Sequence, residues 1–532
     1  MDISEFDYVV VGSGSAGSVL GGRLSENPET SVAVLEAGQE TNQWYVKVPL
    51  AVILMIPSKL NNWAFDTVPQ KGMNGRVGYQ PRGKGLGGST AINGMVYIRG
   101  NRWDYDHWAS LGNDGWSYED VLPYFLRSEH NERIDDDYHG QGGPLNVADR
   151  RTDNPLPLAY IDAMHKAGLP LNPDFNGATQ DGVGICQVTM KDGERWSAAR
   201  AFLLPHMGVR KNLAVMTGAH VSRVLFDGRR AIGVEFERGG KVQRVMARKE
   251  VILSAGAIQS PHILMLSGVG PADQLRPHNI TVVHDLPGVG ENFQDHPDVA
   301  LVYRTTSADT YGVSVKGVLR LLREILRYRR TRRGLIASNI AESSGFIRTD
   351  PDLPAPDIQM GFLPAILDNH GRTLHRGHGY SSHVILLRPK SRGKISLKTA
   401  DPRVPPDIDP AFLEHPDDIE VMLKGFKIVR ELDKAPGMAG VRGEEMFTAD
   451  AKTDDDIREL LKQRVDTIYH PVGTCKMGND AMAVVDNQLR VHGIEGLRVV
   501  DASIMPTIVG GNTSAPTMMI AEKASDMILS VQ

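Results

Sequence analysis

Asp7-Tyr-Val-Val-Val-Gly-Ser-Gly-Ser-Ala-Gly17, then Ser18 to Glu26, then Val32-Ala-Val-Leu-Glu-Ala-Gly38, is the stretch whose reading decides the fold. Tyr8 to Val11 is a β-branched run of the kind buried on both faces in a parallel strand. It ends in Gly12, Gly14 and Gly17, spaced as G-x-G-x-x-G. The first allows a tight turn, the second lets backbone approach a pyrophosphate, and the third lets the next helix pack on the strand. That helix, with Val19, Leu20 and Leu24 on one side, would aim its free N–H groups and positive end at the pyrophosphate. Val32 to Leu35 then delivers Glu36 about 20 residues beyond the glycines, where a carboxylate accepts hydrogen bonds from an adenosine ribose. With 55 glycines in 532 residues an isolated glycine motif is weak; strand, glycines, helix, strand and acid in this order specify a dinucleotide. A glutamate rather than a nearby arginine argues against a 2′-phosphate, hence against NADP, and leaves NAD and FAD open.

Outward from this unit, 58.3 kDa is too much for one core and implies two or three domains. Hydrophobic residues at 41% and charged residues at 23% are those of an ordinary globular protein. A net charge of −5 gives no reason to expect a nucleic-acid partner. Cys186 and Cys475 rule out a disulfide framework and a C-x-x-C metal or redox site, so no metal is expected and the expected compartment is reducing cytoplasm. The first residues carry no basic and apolar leader pattern, and no run approaches the ~18 apolar residues of a spanning helix. Val48 to Pro57, the most apolar run, reads as a lid or the wall of an access channel, with a plain core segment as the alternative.

Five glycines between Gly83 and Gly94 mark a second place where backbone lies close to a ligand. Trp103 to Glu132 reads as helical, Leu156 to Ala167 as a helix, and Arg195 to Leu204 as a short one. Val215 to Phe226, Ala231 to Phe236 and Val242 to Ala247 read as a meander. Val251 to Leu253, then Ser254-Ala-Gly-Ala and a helix from about Ser260, repeat the opening logic as another parallel strand. Between Pro297 and Ile468 the segments Ile358–Phe362, His383–Arg388 and Gly393–Lys398 look antiparallel, with a helix from Asp417 to Leu432, which suits substrate binding. Gly317 to Gly334 is an amphipathic basic helix; its apolar face is expected toward the core, and contact with an anionic membrane is the alternative.

Two C-terminal stretches carry chemistry. In Tyr469-His-Pro-Val-Gly-Thr, Pro471 and Gly473 restrain the backbone after His470, which suits a general base because imidazole titrates near working pH. In Gly510-Gly-Asn-Thr-Ser-Ala-Pro-Thr, Pro516 opens a helix, so the Asn512–Thr517 turn offers backbone donors to an anion. A flavin that accepts hydride becomes such an anion.

These motifs, with Pro81-Arg-Gly-Lys-Gly-Leu-Gly-Gly-Ser-Thr-Ala-Ile-Asn-Gly94, Ser254-Ala-Gly-Ala-Ile-Gln-Ser-Pro261 and Val500-Asp-Ala-Ser503, lie in one order over nearly the full length. Together they resemble the glucose-methanol-choline (GMC) family of FAD-dependent oxidoreductases, most of all its bacterial aliphatic-alcohol, polyethylene glycol, sorbose and choline dehydrogenases. The resemblance implies an α/β (α+β overall) fold: a Rossmann-like FAD-binding domain from residues 1–155, 193–300 and 465–532, and a mainly antiparallel substrate domain with helices from 156–192 and 301–464. It implies His470 and Asn512 as the catalytic pair. It implies cofactor contacts from Gly12, Ser13, Gly14, Ser15, Ala16, Gly17, Glu36 and Ala37; from Arg82, Gly83, Gly87, Gly88, Ser89, Asn93, Gly94, Met95 and Val96; and from Val221, Ala255, Gly256, Asp501, Ala502, Asn512 and Thr513. Some relatives attach FAD through a histidine where Ile92 stands here, so non-covalent FAD is expected. Asp501 is expected to cap the turn beneath the flavin or to touch the ribityl chain, and Glu342 to face the pocket or to be an ion-paired surface residue.

The implied reaction is oxidation of a primary alcohol to an aldehyde, with electrons passed to a quinone- or dye-like acceptor or to oxygen. Choline- or sugar-type oxidation and a flavin-containing hydroxynitrile lyase are the alternatives. The expected protein is a monomer or homodimer, cytoplasmic or peripheral to the inner membrane.

Overall fold

The computed structural model describes residues 4–530. The Ser4–Val11 strand is central in the first sheet, parallel to Val32–Glu36 on one side and to Lys241–Leu253 on the other. Leu213–Thr217 extends the parallel part beyond Val32–Glu36, and Leu497–Val499 closes it beside Val251–Leu253. Val9, Val10, Val32, Ala33, Val34, Val251, Ile252 and Leu253 are fully buried, as strands covered by helices on both faces require. The expected doubly wound unit is present: Ser15–Leu24 packs on Ser514–Leu529, so the two ends of the chain share one layer.

The meander is real but its boundaries move. Val215–Phe226 is two strands, because Gly218 (φ +66°) turns the chain where Gly218 N–H and Ala219 N–H donate to Gly38 and Glu36 carbonyls. The first half joins the parallel sheet and the second pairs antiparallel with Arg230–Arg238. Conversely, the expected separate strands at 242–247 and 251–253 are one 13-residue strand, Lys241–Leu253, which serves the hairpin at its start and the nucleotide sheet at its end. Trp103–Glu132 splits into helices Arg102–Ser110 and Tyr118–Ser128, each opened by a capping box, from Asn101 with Asp104 and from Ser117 with Asp120.

The second sheet is antiparallel in the order Glu445–Met446, Pro297–Arg304, Gly379–Leu386, Ile358–Leu363, Ser343–Ile347, Gly182–Ile185. Leu156–Lys166 and Pro416–Leu432 pack on it through Tyr160, Met164, Met422 and Phe426, which form a second core with Val299, Leu301, Phe362 and Val384. The Arg195–Leu204 segment contributes only a π-type turn, Ala199–Leu203.

Candidate active site

A cavity of about 670 Å³ opens where the glycine loops, the second sheet and the C-terminal segments converge. Its first wall is backbone. Gly12 (φ +94°) sits so close to Ser254 that a Cβ would lie 2.6 Å from that residue's carbonyl oxygen, and a Cβ on Gly17 would lie 1.8 Å from the Gly12 carbonyl oxygen. Gly88 (φ +50°) faces Gly14 so that a Cβ there would lie 2.7 Å from the Gly14 Cα. Only glycine permits these approaches. The helix from Ser15 has no side-chain cap, and neither has the helix from Ser514. Two sets of free N–H groups therefore point at the cavity, the arrangement an anion needs.

Glu36, fully buried, accepts from Ser13 N–H and its hydroxyl through Oε2 and from Gly38 and Gly85 N–H through Oε1. It thereby ties the two glycine-rich segments together at the cavity wall. Burial raises its carboxyl above the ordinary range against those four donors. Arg195, also buried, donates to the Thr90 and Val46 carbonyls and to Asn93 Oδ1, which fixes the second glycine loop from behind. Asp501 Oδ1 accepts from Ser503 N–H, and its Oδ2 from Gly256 N–H and the Ser260 hydroxyl; it is both cap and cross-link.

The second wall holds the histidine. His470 is 8% exposed; its Nε2 lies 3.0 Å from Asn512 Nδ2 and its Nδ1 lies 2.9 Å from Nδ1 of His296. His296 Nε2 is 3.1 Å from the Leu387 carbonyl oxygen, and a carbonyl only accepts. Nε2 of His296 therefore carries the proton. Burial lowers the His296 pKa to about 3, so this ring is neutral and its Nδ1 is a lone pair. His470 must then donate from Nδ1, which leaves its own Nε2 unprotonated, facing Asn512 and the cavity. Burial first, then His296 and Arg82, push the His470 pKa well below the usual imidazole value. Asp295 holds the pair by accepting from the backbone N–H groups of both His296 and His470 at 2.8 Å. Tyr469, with φ +75°, sets the turn before His470, and its carbonyl accepts from Arg82.

The third wall is the antiparallel sheet. Ser343, Gln359 and His383 line the cavity, and their buried Oγ, Oε1 and Nε2 atoms have no partner among the described residues, while His383 Nδ1 pairs with Asp298 at 2.6 Å. Asn512 Oδ1 and His262 Nε2 are likewise unsatisfied. Buried polar atoms without partners are costly and mark where a ligand belongs. Ile53, Leu54, Ile56 and Pro57 line the opening, in keeping with a channel wall.

Most of the expected residues meet here. His470, Asn512, Glu36, Ala37, Arg82, Val221, Ala255, Gly256, Ala502, Thr513 and the Asn93–Val96 run are on the cavity wall. Three are not. Ser13 and Gly87 form the layer beneath, bonded Gly87 N–H to Ser13 carbonyl, and Gly17 is spent on packing against Gly12. Glu342, just before the Ser343–Ile347 strand, is not on the cavity wall either; it is buried, ion-paired with Arg150 at 2.6 Å and bonded to Ser338. His296, Asp295, Gln359 and His383 were missed. The signal for the first was present: His296-Pro297 repeats the His470-Pro471 pair.

The free helix starts, the glycine cradle and the unsatisfied polar atoms fit a dinucleotide that carries an anionic ring system. Residues 6–298 and 389–521 match the amino- and carboxy-terminal profiles of the GMC oxidoreductase family. The chain is 47% identical over 528 residues to the alcohol dehydrogenase [acceptor] of Pseudomonas putida, covering 98% of this chain and 96% of that one. It is 43% identical to the mitochondrial choline dehydrogenase of Homo sapiens, covering 98% and 90%. Among solved structures, a formate oxidase variant of Aspergillus oryzae RIB40, studied for its FAD modification, superposes with a TM-score of 0.93 at 28% identity, covering 100% of this chain and 99% of that one.

Proposed function

The chain belongs to the GMC oxidoreductase family as an FAD-dependent oxidoreductase acting on alcohols, and from that premise we propose that it oxidises a primary alcohol to an aldehyde with His470 as the base. The observation that carries this reading is the unprotonated Nε2 of His470, 3.0 Å from the Asn512 amide at the cavity wall. The substrate hydroxyl donates to Nε2, and Asn512 Nδ2 donates to the same oxygen. The proton then moves to Nε2, where burial opposes the charge and the His296 lone pair, accepting from Nδ1–H, supports it. FAD, when bound, supplies the redox chemistry by accepting the hydride from the alcohol carbon. The two uncapped helix starts would hold its phosphates and the charge its ring gains, and Glu36 would serve its ribose. Ile92, buried at the cavity, supplies no attachment atom, so the cofactor is held without a covalent bond. Flavin lost from acid-precipitated protein supports that; flavin retained in the pellet overturns it.

Residues 1–155, 193–300 and 465–532 act as the cofactor unit and 156–192 with 301–464 as the substrate unit, except that the strand Pro297–Arg304 belongs whole to the substrate sheet. Ser343 Oγ, Gln359 Oε1 and His383 Nε2, which have no partner among the described residues, favour an alcohol with a second polar group. A choline-type substrate is the second reading, favoured by the 43% relative but given no free carboxylate by Glu342. We take the electron acceptor to be quinone- or dye-like, with oxygen as the alternative; the name of the 47% relative specifies an acceptor without saying which. An anaerobic screen of aliphatic, polyol, aromatic and choline-type alcohols tests the whole: loss of the visible flavin band with one class supports oxidation, and no bleaching with any of them favours a lyase.

A further inference from the structure

Ser314 caps the helix Val315–Thr331, which packs the wrong way round for a globular protein. Two residues carry its inward side: the buried Glu324 carboxylate accepts from Leu335 N–H at 3.1 Å, and Tyr328, packed against Leu50, Ile336 and Ala337, donates to the Gly193 carbonyl at 2.9 Å. Val315, Val318, Leu319, Leu322, Ile325 and Leu326 form the opposite stripe and stand in solvent, with Val315 79%, Leu319 63% and Leu326 58% exposed. At 3.6 residues per turn these positions lie across the helix from Glu324. The sequence expectation of a core-facing apolar side is therefore reversed. Of the 21 large apolar side chains exposed among the described residues, seven stand on this one helix.

Two further observations say what covers the stripe. Residues 315–333 carry Lys316 and seven arginines against Glu324 alone, a net +7 in a chain of −5, so the remainder is −12. Arg323, Arg329 and Arg330 are exposed and pair with no acidic group among the described residues. Val313, two residues before the stripe begins, lines the active-site cavity together with Ile53, Leu54 and Leu374, and all four are 44–80% exposed. A second copy docked here would set cations against cations. An anionic bilayer satisfies both the apolar face and its flanking arginines.

We infer that this helix lies flat on an anionic membrane with the cavity mouth turned to the lipid, so that a bilayer-dissolved quinone reaches the active site directly. This rests on the alcohol-oxidation reading for its purpose: two electrons and two protons leave the alcohol to give the aldehyde, and the quinone takes up both to become the quinol. The docking surface itself stands on the stripe and the charge.

Flotation of the FAD-loaded protein with phosphatidylcholine vesicles, with and without phosphatidylglycerol, tests it. The wild type should float only with the anionic vesicles and should release in high salt. Leu319→Glu/Leu322→Glu/Leu326→Glu should lower the floated fraction at least about tenfold while turnover with a water-soluble dye stays unchanged; turnover with ubiquinone in those vesicles should fall in parallel. Arg323→Glu/Arg329→Glu/Arg330→Glu should abolish the preference for anionic lipid. A wild type that never floats, a leucine variant that floats equally, or light scattering that shows a dimer broken by the leucine variant would each overturn the proposal. Flotation without dye turnover would strike the proposed function and leave the docking surface standing.

Discussion

The two ends of the active-site cavity are made of different material. At the nucleotide end the wall is backbone: Gly12, Gly14, Gly88 and two uncapped helix starts, with Glu36 satisfied by four donors. At the substrate end the wall is side chains: His470, Asn512, Gln359 and His383, several with atoms that have no partner. The first end is built before any ligand arrives; the second is completed by one. Substitutions should therefore act on folding and cofactor retention at one end, and on rate or selectivity at the other.

Gly17→Ala is the hardest test of this contrast and carries the largest expected effect. A Cβ 1.8 Å from the Gly12 carbonyl oxygen cannot be relieved by a side-chain movement. The variant should yield no flavin-loaded folded protein, read from the visible absorbance and the thermal melt. His470→Ala probes the opposite end. It should keep its flavin and its melting temperature, yet anaerobic stopped-flow should show flavin reduction slowed ~10²- to 10⁴-fold, the usual worth of a positioned base. Ordinary reduction in that variant would remove His470 from the mechanism.

The His296–His470 pair sharpens the comparison, because His296 acts on the reacting atoms only through its neighbour. His296→Leu removes the acceptor that fixes the His470 tautomer, and reduction should slow about tenfold, the worth of one buried hydrogen bond. His296→Gln, whose amide can accept from His470 and donate to Leu387, should recover most of the rate; equal loss in both would make His296 a packing residue.

The pH dependence follows from the same pair. Burial, then His296 and Arg82, hold the His470 pKa well below 6.5, so the neutral base persists and the reduction rate should stay flat from mildly alkaline pH down to 6.5. The fold favours the neutral ring, so the stability it contributes is present above the unfolded value of 6.5 and is lost as pH falls toward the folded one. An acid limb centred at or above 6.5 would mean a solvated imidazole. The smallest expected effect belongs to Gln359→Leu. It should raise KM for a polyhydroxylated alcohol by about 3- to 10-fold, one neutral hydrogen bond, with kcat and flavin content unchanged.

The difference between the ends also explains what could be read in advance. The glycine cradle and Glu36 were legible because turn geometry, strand burial and helix starts are local, set by residues a few positions apart. Asn512 and His470 were legible through their neighbours, Pro516 and Pro471, which restrict the backbone on the spot. Ser13, Gly17 and Gly87 belong to these motifs but lie beneath the cavity wall, since a motif does not say which of its atoms faces the cavity. The single Lys241–Leu253 strand was read as two because its two halves pair with different neighbours.

The sequence by itself determined that a dinucleotide cradle opens the chain and that a restrained imidazole and an anion-binding turn close it, because each depends on short-range backbone constraint. Tertiary structure alone decided that His296 sets the protonation of His470, that Gln359 and His383 share a wall with them, and that the leucines of residues 315–331 face outward. Those outcomes depend on sheet register and on which face of a helix meets its neighbours. Both are fixed by contacts between residues tens to hundreds of positions apart, His296 and His470 being 174 apart.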